Sequence, residues 1–164
     1  MLITAHGAIA VTAYWAAAKT IVPGLPLDAP ILFLVFTAGI LPDLPITLLM
    51  LTGTFDPLRH RHHRWIFHQP WFWIVCGSVV AMLGLPRTGM AVTVFPLLHL
   101  AFDWFGAGDG IPFLAPFSLR QFGVDLSGVH GPPAQRYYLS RTRYLGMEAA
   151  AHVALILIVL FGKR

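Results

Sequence analysis

The chain has 164 residues, 57% of them hydrophobic and only 11% charged, with a mean hydropathy of +0.70 and a formal net charge of +4. Soluble domains carry roughly 25% charged residues, so this composition excludes an ordinary water-soluble globule and points to one integral membrane domain over residues 1–164. A lone cysteine, Cys76, excludes an internal disulfide framework and reads as a small packed hydrophobe.

In chain order, the first apolar stretch covers about residues 2 to 22, and with no basic region ahead of it we expect a retained helix rather than a secretory signal. Pro23-Gly24-Leu25-Pro26 ends it, because proline lacks a backbone donor and glycine tolerates the turn. A second stretch, 29 to 52, contains Pro42 and Pro45 on either side of Asp43, so it should bend or break there and free backbone carbonyls. The third, 70 to 86, is the shortest; the fourth is 88 to 106 and the fifth 145 to 162. Each lies near the roughly 17 to 25 residues that span a bilayer. In lipid the backbone must satisfy its own hydrogen bonds, and no stretch alternates with the period of a barrel strand, so all should be helices. The expected fold is all-α: a polytopic transmembrane bundle of about five apolar helices, with a long interfacial segment between the fourth and fifth. That segment, Gly106 to Tyr144, mixes Phe113, Phe117, Phe122, Tyr137, Tyr138 and Tyr144 with Arg120, Arg136, Arg141 and Arg143, a combination suited to the headgroup layer.

Five crossings would place the N-terminus and the loops at 53 to 69 and 107 to 144 on one side. That side holds Arg59, Arg61, Arg64, Arg120, Arg136, Arg141 and Arg143, against Lys19, Arg87, Lys163 and Arg164 on the other, so the positive-inside rule makes it cytoplasmic. His6, the histidine run His60-Arg61-His62-His63-Arg64-Trp65-Ile66-Phe67-His68, and His99 with Asp103 all fall towards that same face. Asp43 lies nine residues, or roughly 13 Å, below it. His99 and Asp103 are four apart, so one helix face presents both.

An ionisable side chain at membrane depth costs at least about 2.5 to 3.5 kcal/mol, which makes each of these residues a functional-site hypothesis. Imidazoles with carboxylates form a ligand set suited to zinc, with manganese or iron also fitting. Several of each can hold two metal ions bridged by a carboxylate; such a pair lowers the pKa of a water and clamps the oxygens of a phosphoester. Plainer readings exist for each element. A His-x-x-x-Asp pair can satisfy itself within a helix, Asp43 can cap a helix restarting at Leu44, and the basic histidine run can hold anionic headgroups.

The motifs as a set resemble the YdjM-like family of inner-membrane proteins, described as membrane-bound metal-dependent hydrolases. The matching features are His6, Pro42-Asp43, His63-Arg64-Trp65-Ile66-Phe67-His68, His99 to Asp103, Gly110-Ile111-Pro112 and Pro116-Phe117. The order His, Asp, His, His-x-x-x-Asp is also distantly similar to the zinc-dependent phospholipase C and single-strand nuclease superfamily. The resemblance implies that His6, Asp43, one of His63 and His68, His99 and Asp103 are ligands. Two departures stand out: Pro45 replaces a second acid of the family pattern, and Ala5 replaces a threonine before the early histidine. His130, Glu148 and His152 are candidates for a third metal site by analogy with the soluble superfamily.

The expected function is therefore that of an enzyme: a membrane-bound metal-dependent hydrolase that cleaves a phosphoester of a lipid or lipid-linked substrate with metal-activated water. Its expected cofactor is a divalent metal, Zn2+ before Mn2+ or Fe2+, in two copies. Arg64 would bind phosphate oxygens through its planar fork of donors, with Asp43 and Asp103 completing the catalytic set. A multi-pass location in the cell inner membrane, with the site facing the cytoplasm, follows from the charge distribution. No nucleic-acid partner is expected, and pairing into a homo-oligomer stays open, although no strong Gly-x-x-x-Gly face marks it. Two readings compete: a proton- or metal-coupled transporter with Asp43, His99 and Asp103 as a relay, and a non-catalytic lipid-binding membrane protein.

Overall fold

The computed structural model describes residues 3–54, 62–108, 110–126 and 139–162, which form helices joined by short turns. Among the described residues six α-helices run in order: α1 Ile3–Thr20, α2 Ala29–Ile40, α3 Leu44–Leu51, α4 Pro70–Met82, α5 Pro86–Phe105 and α6 Thr142–Phe161. Asp28 starts α2 by accepting the Ile31 N–H at 3.0 Å, with proline in the first turn where a missing donor costs nothing. The only strands among the described residues are the two-residue pair Ala107–Gly108 and Asp125–Leu126, which run parallel.

Three helical stretches are long and apolar enough to cross a membrane: Ala29–Leu51, Pro86–Phe105 and Thr142–Phe161. All five expected apolar stretches form helices, and three of them have the length and hydropathy of a span among the described residues. The first stretch does form a helix, but His6 and Lys19 dilute its hydropathy among small alanines. The third ends early: Gly84 adopts φ +88°, a left-handed turn open to glycine, so α4 has 13 residues and reaches about 20 Å where the hydrocarbon core is about 30 Å. The second stretch bends without parting. Leu41–Asp43 form one 3-10 turn between α2 and α3, and the Leu44 N–H closes it on Leu41 O.

α5 is central, packing against α4, α2 and α1, while α1 also packs against α2 and α6. One core joins Ala10, Val11, Val35, Phe95 and Ile158; another joins Trp73, Leu100 and Ile111. Without a hydrophobic drive between helices in lipid, association depends on small residues that let backbones approach. Gly77 and Gly89 do this for α4 and α5, since a Cβ at Gly77 would meet Gly89 O at 2.5 Å. Gly77→Ala is therefore expected to lower stability by about 1–3 kcal/mol, read as an earlier unfolding midpoint in detergent, with an unchanged midpoint counting against this packing. Large apolar side chains such as Phe33, Leu48, Leu157 and Leu160 face outwards, the surface a lipid-facing bundle presents.

After α5 the chain does not simply lie flat as the expected cover. Ile111 exchanges backbone hydrogen bonds with Phe122 at 2.8 and 3.0 Å and is fully buried, so this part of the segment inserts into the core. The loop between them keeps Phe113, Leu114, Phe117 and Leu119 exposed. Tyr137, Tyr138 and Arg136 lie outside the described residues, as do Arg59, His60, Arg61 and His130.

Candidate metal centre

Asp43 occupies the end of the 3-10 turn that interrupts the second apolar stretch. Its side chain makes no capping hydrogen bond to α3, so the plainer reading of a helix cap fails. The carboxylate is turned instead towards two histidines: Oδ1 lies 3.3 Å from His68 Nε2 and Oδ2 lies 3.7 Å from His99 Nε2. A short 3-10 stretch inside a helical run commonly marks such a functional departure.

His63 and His68 arrive on two further 3-10 turns, His62–Arg64 and Ile66–His68. The Trp73 indole N–H donates to Phe67 O at 2.7 Å, and Phe67 packs edge-on against Phe72, which pins the second turn to the start of α4. His68 is thereby carried to Asp43, and the depth expected to separate Asp43 from the histidine run is closed by the inward fold of these turns. Both His63 and His68 join the cluster, so the choice between them dissolves. Burial pushes the His68 imidazole below its ordinary pKa, which favours the neutral ring that a metal requires.

α5 supplies His99 and Asp103 from one face, as their spacing requires, and α1 supplies His6, whose ring stacks on His99 with centroids 3.7 Å apart. Asp103 reaches all four histidines. Its Oδ1 lies 3.1 Å from His6 Nε2, and its Oδ2 lies 3.0 Å from His99 Nε2 and 3.7 Å from both His63 Nε2 and His68 Nε2. His6 Nε2 and His99 Nε2 are buried away from solvent at these short separations from Asp103.

The tautomer of His99 follows from its other nitrogen. Nδ1 lies 2.8 Å from the Gly39 carbonyl, which can only accept, so Nδ1 carries a proton, and in the neutral ring Nε2 presents its lone pair to the cluster. Gly39 is in the last turn of α2, where carbonyls lack a partner within the helix. The expectation that the interruption near Pro42 frees carbonyls for a site is met here. This arrangement, an imidazole oriented by a backbone carbonyl on the far side, is the usual support of a metal-ligating histidine.

Donor atoms fall into two groups whose members lie within 4.8 Å of one another: His6, Asp43 and His99, and His63, His68 and Asp103. Two nitrogens and a carboxylate oxygen in each are an appropriate donor set for zinc or a similar first-row ion. Exposure runs from 0% at His68 to 8% at His63, so the whole cluster is buried, with His63 nearest the surface. Arg64, next in the chain, is exposed, and its Nε–H donates to Gln121 Oε1 at 3.3 Å. Gln121 carried no signal in the sequence beyond being a polar residue among aromatics. Glu148 and His152 join neither group: His152 Nδ1 lies 2.7 Å from Glu148 O and its Nε2 lies 3.1 Å from Thr4 Oγ1.

No curated protein and no solved structure matches the chain, so the similarity to the phospholipase C and nuclease superfamily expected from the ligand order is not shown. The family comparison does match, over the full chain. The chain belongs to the YdjM inner membrane protein family, whose model covers residues 1–164.

Proposed function

We propose that this protein is a multi-pass inner-membrane hydrolase in which the buried cluster holds two divalent metal ions, most readily zinc, and cleaves a phosphoester of a lipid or lipid-linked substrate. The observation that carries this reading is the way each carboxylate divides its oxygens. Asp43 directs one oxygen to His68 and the other to His99, and Asp103 likewise touches His6 through Oδ1 and both donor groups through Oδ2. Carboxylates that serve both groups at once are the bridging ligands a dinuclear centre needs.

His6, Asp43 and His99 would hold one ion and His63, His68 and Asp103 the other. Metal bound there supplies a water of lowered pKa and polarises a phosphoryl oxygen. The chain's own residues do the rest. Asp43 and Asp103 balance the charge within a dry site, the Gly39 carbonyl keeps His99 in its ligating tautomer, and Arg64 stands exposed beside His63, where its guanidinium can take phosphate oxygens. The exposed apolar loop carrying Phe113, Leu114 and Phe117 follows α5 directly and suits a site at headgroup level. Placing that end in the cytoplasm follows the arginines Arg64, Arg120, Arg141 and Arg143.

Detergent-purified protein loaded with zinc or manganese is expected to hydrolyse phospholipids in mixed micelles, to lose the activity to a chelator and to regain it with metal. Protein that takes up no metal after soaking in either ion would overturn the reading.

A further inference from the structure

Arg64 and Gln121 meet beside His63, the most exposed residue of the cluster. Arg64 follows His63 within one 3-10 turn, and its Nε–H donates to Gln121 Oε1 at 3.3 Å. A guanidinium only donates, so the glutamine must offer it the oxygen and turn its amide nitrogen away. That nitrogen, Gln121 Nε2, is buried and has no hydrogen-bond partner among the described residues. Buried donors in native proteins are nearly always satisfied, and an exception asks for a ligand or another stated reason.

The placement of Gln121 supplies the reason. It precedes Phe122, whose backbone is paired with Ile111, and Ile111 packs in one core with Leu100, the residue after His99. The amide is therefore tethered to the stretch of α5 that carries His99 and Asp103, while Arg64 is tethered to the turn that carries His63. With its Nε engaged, Arg64 has its two terminal nitrogens left, an edge that matches the spacing of oxygens on a carboxylate or phosphoryl group. A neutral donor carried by the same amide that engages the guanidinium adds a further contact for a group with three oxygens.

Building on the hydrolase reading above, we propose that Gln121 is a substrate-binding residue: its Nε2 and the terminal nitrogens of Arg64 together grip one phosphoryl oxyanion beside the metal centre. Oε1 of the same amide aims the guanidinium. The ligand class is thus a phosphate ester, whether carried by a lipid or soluble.

The test is binding of inorganic phosphate to the detergent-purified, metal-loaded chain by calorimetry, with metal content measured on the same samples. Gln121→Met, which keeps length and removes every polar atom, and Gln121→Glu, which keeps an acceptor for Arg64 and removes the donor, are each expected to weaken phosphate at least tenfold at unchanged metal content. The roles are separated in an Arg64→Met background, where there is no guanidinium to brace: a Gln121→Met change that still weakens phosphate there acts through its own donor, and one without effect there overturns the proposal. Phosphate affinity equal to wild type in the Gln121→Glu protein overturns the proposal and leaves the metal site standing, as does a metal-loaded wild type that binds no phosphate. A wild type without metal that still loses phosphate on substitution keeps the anion grip and sinks the hydrolase reading; neither metal nor phosphate in wild type sinks both. Displacement of phosphate by short-chain phosphatidic acid but not by glycerol 3-phosphate assigns the grip to a lipid-borne ester, and equal displacement by both to a soluble one.

Discussion

Asp103→Asn is expected to reduce bound divalent metal from about two ions per chain to background, and to do so more completely than Asp43→Asn. The asymmetry follows from contacts: Asp103 approaches all four histidines, His6, His63, His68 and His99, whereas Asp43 approaches His68 and His99. Asparagine keeps the shape but removes the charge that offsets a divalent ion, and it presents an N–H2 group to at least one of the imidazoles. Loss of metal affinity by a factor on the order of 100 or more is expected for Asp103→Asn, since even removal of a supporting group commonly costs 10- to 100-fold. Elemental mass spectrometry of wild type and both variants, purified identically, reads the result. Equal metal content in wild type and Asp103→Asn would remove the basis for a metal centre and revive the lipid-binding reading.

Gly39→Ala is expected to weaken metal binding about 10- to 100-fold while leaving every proposed ligand in place. The added Cβ would stand 2.6 Å from Ala10 Cβ and 2.9 Å from His6 O, so α1 and α2 must separate. That separation strikes the site twice. His6 rides on α1, and the Gly39 carbonyl that orients His99 rides on α2. Overpacking of this kind also costs about 1–3 kcal/mol of stability, so the comparison needs a variant that is destabilised elsewhere. Gly24→Ala provides it: Gly24 has φ +94° with nothing within 4 Å of the new Cβ, so only backbone strain is added, far from the histidines. Metal titration should show weaker binding in Gly39→Ala alone. Comparable affinities in the two variants would mean that the Gly39 contact does not support the site.

Much of the cluster is legible in one dimension because charge is costly in an apolar stretch. Asp43 between two prolines and His99 four residues before Asp103 stand out against their neighbours for that reason alone, and helical spacing puts the latter pair on one face. His63 and His68 are harder to read. They sit in a polar loop where histidine costs nothing, so composition gives no reason to prefer either, and their shared role depends on two 3-10 turns folding inwards. Gln121 and the carbonyl of Gly39 are invisible for a different reason. A backbone oxygen has no residue signature, and an amide in a loop gains meaning only from the atoms it meets.

The spans divide in the same way. Hydropathy over a window depends on residue types alone, so Ala29–Leu51, Pro86–Phe105 and Thr142–Phe161 follow from the sequence, as do the apolar character of the chain and the helical class that lipid imposes. The inward packing of Ile111 and the meeting of α1 with α2 at Gly39 were decided by tertiary structure. Each depends on how closely two backbones approach, a distance set by pairs of residues remote in sequence. The sequence alone determined that His6, Asp43, His99 and Asp103 were out of place in an apolar chain; only packing decided that they, with His63 and His68, converge on one buried point with donors divided into two groups. Membrane insertion sums over single residues, whereas a ligand cluster requires several elements to be in register at once.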